Sequence, residues 1–190
     1  MAKLYVTLEA IRDKQPCEDG WHILLEHLGK TKADNEPLAL SEILESNKIY
    51  DAIWCLRALP EQYDNRVRLF NCDVAEHVLH YFTNKYPYDN RPAEAIRIAR
   101  LFANGQATQE ELDVSAAAAK AVIVDRAVIV DRAVRAAFWA AWAAFWTANN
   151  VTLVVVAAAN AVSFAAADEG RVARAAEREY LKELFIKHFC

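Results

Sequence analysis

Apolar residues recur along this chain at the three- and four-residue spacing of helices, and the interruptions fall where capping chemistry is present. Thr7 precedes Leu8-Glu9-Ala10-Ile11-Arg12, so its hydroxyl can accept from an unpaired amide of a first helical turn. Trp21, Leu24, Leu25 and Leu28 form the next stripe, between Gly20 and the terminating Gly29. A polar loop is expected over residues 30–37, followed by two short helical pieces opening at Ser41 and Asp51 and closed by Pro60.

Tyr63-Asp64-Asn65-Arg66 recurs as Tyr88-Asp89-Asn90-Arg91, and each copy introduces a predicted helix. The first covers about residues 66–83, with Val67, Phe70, Val74, Val78 and Tyr81 on one face and a polar opposite face. The second, over about residues 92–103, has Pro92 in its first turn, Asp89 or Asn90 as cap, and Asn104-Gly105 as its stop. Thr108-Gln109-Glu110-Glu111 matches a capping box, in which hydroxyl and carboxylate each accept from the other residue's amide.

Beyond Ser115 the composition shifts to alanine, and Ala-Val-Ile-Val-Asp-Arg at 121–126 repeats at 127–132. On a helical wheel Lys120, Asp125, Asp131, Arg132 and Arg135 share one sector, opposite Val122, Ile129 and Val130. Arg126 falls outside that sector and reads either as an edge residue extending its charge to water, the commoner case, or as a buried arginine that needs a carboxylate partner. Farther along, the charged sector becomes aromatic, with Phe138, Trp139, Trp142, Phe145 and Trp146, while Ala136, Ala140, Ala141 and Ala144 continue the small face. Such a ridge is covered by the rest of the chain, buried between copies, or used to grip a partner. Asn149-Asn150 is expected to turn the chain into a second helix that is apolar all round, over residues 151–167. A last helix over residues 171–189 carries Val172, Ala176, Tyr180 and Leu184 inward and an exposed Glu183 to Lys187 pair.

The expected fold is therefore all-α: a multi-helix bundle with short N-terminal helices packed on a long Ala-rich helical hairpin. Residues 1–114 form the N-terminal helical region, and residues 115–190 the hairpin plus the closing helix, the two sharing one core.

Composition supports this reading, with 55% hydrophobic and 25% charged residues and only four Gly and five Pro in 190 residues. A net charge of -4 has the wrong sign for a general nucleic-acid binder. Residues 136–167 lack charge, but the Asn pair divides them into pieces too short to span a bilayer, so no membrane insertion is expected. Cys17, Cys55, Cys72 and Cys190 show neither disulfide nor zinc spacing, which suits a reducing cytoplasm.

Candidate chemistry is sparse. Asp73, Glu76, His77 and His80 share one helical face and are the weak metal-ligand candidates, with a solvated polar face as the plainer alternative. Cys72, at the edge of an apolar stripe, reads as a buried, inert thiol, and His22 and His27 have no assignable partner. With no phosphate-cradling loop or nucleophile motif, neither enzymatic activity nor a cofactor is expected.

The order of Thr7-Leu8-Glu9, Cys17-Glu18-Asp19-Gly20, Asp51-Ala52-Ile53-Trp54-Cys55-Leu56-Arg57, Arg68-Leu69-Phe70-Asn71-Cys72-Asp73-Val74-Ala75-Glu76, Tyr86-Pro87-Tyr88-Asp89-Asn90-Arg91-Pro92 and Ala103-Asn104-Gly105 resembles a family of helical bacterial and phage proteins. These are described as immunity proteins of polymorphic-toxin systems. The resemblance covers about residues 5–114, and such proteins continue into an Ala-rich, Trp-dotted tail. It implies a protein-binding inhibitor and transfers no catalytic residue. The Val-Ile-Val-Asp-Arg repeats depart from the family's Ala and Arg usage, which places a phage-encoded inhibitor of a host defence complex beside a toxin antidote. The expected partner is thus a toxin or a defence-complex subunit. The proposed contact residues are Asp131, Arg135, Phe138, Trp139, Trp142, Phe145 and Trp146, and the rival reading is a self-associating helical scaffold.

Overall fold

The computed structural model describes residues 3–126 and 171–190, with the side chains of 123–126 and 171–174 left aside. Residues 127–170, which hold most of the Ala-rich hairpin, the Asn149-Asn150 turn and the ridge residues Asp131, Arg135, Phe138, Trp139, Trp142, Phe145 and Trp146, lie outside the described residues, as does the side chain of Arg126.

Among the described residues the architecture is all-α, with eight α-helices and a single two-stranded antiparallel sheet. Helix α1 spans Leu8–Asp13 and is capped as expected, Thr7 Oγ1 accepting from Ala10 N at 3.1 Å. Helix α2, Glu18–His27, includes Gly20, which the sequence pattern placed ahead of the helix. Helices α3, Leu40–Asn47, and α4, Ile49–Cys55, are separated at Lys48, whose φ of 75° breaks the helical path. Two 3-10 turns, Leu56–Ala58 and Glu61–Tyr63, flank Pro60. The sheet pairs β1, Tyr5–Val6, with β2, Leu38–Ala39, in the register Tyr5 to Ala39 and Val6 to Leu38. Two residues per strand are too few for alternation to signal them.

Helix α5, Asp64–Thr83, is the central element. Val67, Phe70, Val74 and Val78 are buried as predicted, but the face expected to be polar is buried too, carrying Arg68, Asn71, Cys72 and Ala75. The correction has a physical basis in α6, Arg91–Ala103, which packs along that second face. There the Arg68 guanidinium stacks 4.8 Å over the Phe102 ring, a cation–π contact that lets a charged residue be buried. At the start of α6, Asp89 Oδ1 accepts from Arg91 N at 3.3 Å. Gly105, at a φ of 71°, follows the helix and takes the left-handed conformation that ends it.

Helix α7, Gln109–Arg126, starts in the predicted capping box, with Glu111 N donating to Thr108 Oγ1 at 3.2 Å and Thr108 N to Glu111 Oε2 at 2.7 Å. Helix α8, Arg171–Phe189, lies against α3, α4 and α5. Its inward residues are Leu181, Leu184, Phe185, His188 and Phe189; Leu184 is buried and Tyr180 packs on the core as expected, whereas Ala176 is exposed and the inward face is wider than the expected stripe. Phe70 receives Phe185 and Phe189 edge-on, with ring centroids 6.3 and 5.3 Å away. The chain ends meet where Leu4 N donates to Phe189 O at 3.1 Å. No described helix is long and apolar enough to cross a membrane.

Candidate functional site

Two places gather chemistry among the described residues: a charged seam along α5 and a pocket between α1 and α4.

The seam contains the four residues proposed from spacing as weak metal ligands. Asp73 Oδ1 accepts from Arg100 Nη1 at 2.7 Å, and Asp73 Oδ2 from His188 Nε2 at 2.9 Å, with Lys187 Nζ at 3.4 Å. Glu76 pairs with the second nitrogen of the same Arg100 at 2.7 Å. His77 lies 2.9 Å from Glu177 and stacks on Tyr180 at a centroid distance of 3.8 Å. His80 places Nδ1 2.9 Å from the His77 carbonyl oxygen, which it can only approach as a donor.

These contacts divide the four residues among α6, α8 and the backbone of α5 itself. Among the described residues no three His, Cys, Asp or Glu side chains converge as metal ligands. Burial works against ionised Asp73, yet the hydrogen bonds from His188 and Arg100 and their positive charge hold its carboxyl well below the usual range. Arg100 is correspondingly raised by Asp73 and Glu76 against its own partial burial. The face expected to be solvated is thus half covered by α8. Lys187, expected to pair with Glu183 on its own helix, turns to Asp73.

Burial also decides the thiols. Cys55 and Cys72 are both pushed up to about 12 by desolvation, so both remain protonated and weakly nucleophilic near neutral pH. For Cys72 this agrees with the inert thiol read from the sequence. His22 is exposed and lies 3.8 Å from Glu18, an ordinary surface pair.

The pocket was not visible from spacing, because its walls come from four short helices. It has a volume of about 180 Å³ and is bordered by Ile11, Pro16, Trp21, Leu24, Ile43 and Trp54, with Cys17, Gly20, Asn47, Asp51 and Cys55 supplying the rest of the wall. Asn47 is its polar organiser. Asn47 Nδ2 donates to Gly20 O at 2.7 Å and to Asp51 Oδ2 at 3.1 Å, and Asn47 Oδ1 accepts from Ser46 Oγ at 2.6 Å. A Cβ on Gly20 would stand 3.1 Å from Cys17 Sγ and 3.2 Å from Asp51 Oδ2, so the missing side chain lets α2 approach α4. A glycine directly ahead of a predicted apolar stripe was the one local signal at this place. The segments Cys17-Glu18-Asp19-Gly20 and Asp51-Ala52-Ile53-Trp54-Cys55, quoted above for the family resemblance, meet here.

Comparison with known proteins gives one family. The model described as Imm-5 like putative immunity protein matches residues 57–184, about two thirds of the chain. The match begins inside the resemblance read from the sequence and continues through the Ala-rich tail, whereas the segments that line the pocket precede it. No curated protein and no solved structure matches.

Proposed function

The chain belongs to the family described as Imm-5 like putative immunity protein, and from that membership we propose that it is a stoichiometric protein inhibitor that binds a toxin and blocks its active site or its assembly. The observation that carries this reading is the match over residues 57–184. Two features support a binding role over a catalytic one. Asp73, Glu76 and His77 of α5 are engaged with Arg100, His188 and Glu177, and both thiols nearest the core are held protonated. Inhibition would take place in the cytoplasm, without a cofactor.

The proposed contact surface is the sector that changes from Asp131 and Arg135 to Phe138, Trp139, Trp142, Phe145 and Trp146. Large aromatic side chains and arginine dominate the energetics of protein interfaces, and the five aromatics that the sequence spacing predicts on one helical sector would supply that kind of anchor. Trp142→Ala and Trp146→Ala test the assignment. Unchanged melting temperatures with lost binding identify an interface, whereas destabilisation of about 3–5 kcal/mol each identifies core. Light scattering on the purified chain tests the self-association rival, which requires a stable oligomer. A subunit of a host defence complex recovered as the target, in place of a toxin, would move the same inhibitory role to a phage-encoded protein.

A further inference from the structure

The pocket between α1 and α4 has a composition that the toxin-binding reading does not use, and the inference drawn from it stands apart from that reading. Its wall is mostly apolar and aromatic, with one carboxylate, Asp51. That carboxylate is held in place by a neutral amide, Asn47, whose own position is fixed by Gly20 O and Ser46 Oγ. Among the described residues no lysine, arginine or histidine forms an ion pair with Asp51. Asp51 is half-buried and its hydrogen-bonding partner Asn47 is neutral, so a cation entering the pocket meets a negative charge that no basic side chain of the wall offsets.

The two tryptophans complete the pattern. Ring faces of tryptophan attract cations, and both rings already do so, Arg12 standing 5.9 Å from Trp21 and Arg57 4.5 Å from Trp54. Neither arginine lines the pocket. Their charges oppose entry of another cation, so Asp51 is the group that must outweigh them. Size limits the ligand further: about 180 Å³ is below the roughly 300–1,000 Å³ of drug-sized sites and close to the roughly 150 Å³ of an engineered cavity that binds benzene. Gly20 maintains the opening beside the carboxylate, where any side chain would press on Asp51 and Cys17. A metal ion is a poor fit, because a hard cation needs several oxygen ligands and the wall offers one carboxylate.

We propose that this pocket binds a compact organic cation, a guanidinium or ammonium group on a short apolar stem, with its charge on Asp51 and its stem between Trp21, Leu24 and Trp54. The cation is either a free amine or guanidine or the side chain of an arginine or lysine in a partner polypeptide; the chemistry is the same.

The test uses the full chain labelled with ¹⁵N, with the Trp21 and Trp54 indole signals assigned through Trp21→Phe and Trp54→Phe. n-Butylguanidinium, n-butylammonium and the neutral n-butanol are titrated separately. A saturable shift of both indoles is expected for the cations, with affinity at least tenfold above that of n-butanol. Asp51→Asn should abolish that preference. Because selectivity is read on the unmodified chain, the test survives failure of the variant to fold. Equal or stronger binding of n-butanol, no saturable shift with either cation, or an Asp51→Asn variant that keeps the preference would overturn the assignment. A capped Gly-Arg-Gly peptide separates the sources: binding at least as tight as n-butylguanidinium supports a partner's side chain, and much weaker binding supports a free cation.

Discussion

His188 Nε2 stands 2.9 Å from Asp73 Oδ2, a contact between residues 115 positions apart that fastens the last turn of α8 to the middle of α5. Arg100 reaches the other oxygen of the same carboxylate from α6, so one side chain joins three helices. Replacing Asp73 with Asn should destabilise the chain by about 2 kcal/mol at pH 7, in the range for hydrogen bonds to charged groups. The pH dependence follows from the depressed Asp73 carboxyl. Its contribution is fully present above the unfolded-state value of about 3.9 and is lost as pH falls from there toward the lower folded-state value. Urea unfolding at pH 7, 4 and 3 should therefore show the gap between wild type and Asp73→Asn narrowing as the solution is acidified.

The buried face of α8 can be checked by a pair of substitutions one position apart. Phe185 is fully buried against Phe70 and Phe189, whereas Ile186 is 45% exposed. Phe185→Ala should cost about 3–5 kcal/mol, and Ile186→Ala no more than about 0.5 kcal/mol. Similar costs for both would contradict the register of the helix.

Asn71 is fully buried, and neither polar atom of its side-chain amide has a hydrogen-bond partner among the described residues. An unsatisfied buried amide costs about 1–3 kcal/mol, so Asn71→Leu, close in volume, should raise the thermal midpoint. A fall would mean that the amide is satisfied in solution.

The four thiols should separate by reactivity. Cys17 is exposed, Cys190 half-buried, and Cys55 and Cys72 are buried and raised to about 12. Thiol titration of the native chain at pH 8 should label Cys17 first and Cys190 more slowly, with Cys55 and Cys72 labelled only in denaturant. Fast labelling of Cys72 would contradict its inert role.

Features set by neighbours in sequence were legible in it. The Thr7 cap and the Thr108 to Glu111 capping box each depend on atoms three residues apart and form as read. Features set by packing were not. Arg68 and Asn71 look like solvent-facing residues, and only the approach of α6 and the Phe102 ring shows that the second face of α5 is interior. The Asp73 to His80 face looked solvated because the ions that pair with it come from helices 24 to 115 residues away. The inward face of α8 was read too narrowly, because the helix meets α3, α4 and α5 together and buries Leu181, Phe185, His188 and Phe189 besides the expected Leu184. The pocket needed residues from 11 to 55 brought together by four short helices, with only Gly20 as a local sign.

The most direct test of the central claim is a titration of toxin activity against the purified chain, using a toxin encoded in the same genome with which the chain forms a complex on size-exclusion chromatography. A stoichiometric inhibitor should reduce activity linearly, with complete loss near one chain per toxin and full recovery when the complex is dissociated and the toxin isolated. Complete loss at a small fraction of equimolar, or inactivation that persists after the chain is removed, would identify catalysis. Unchanged activity at saturating chain would contradict the inhibitory role itself.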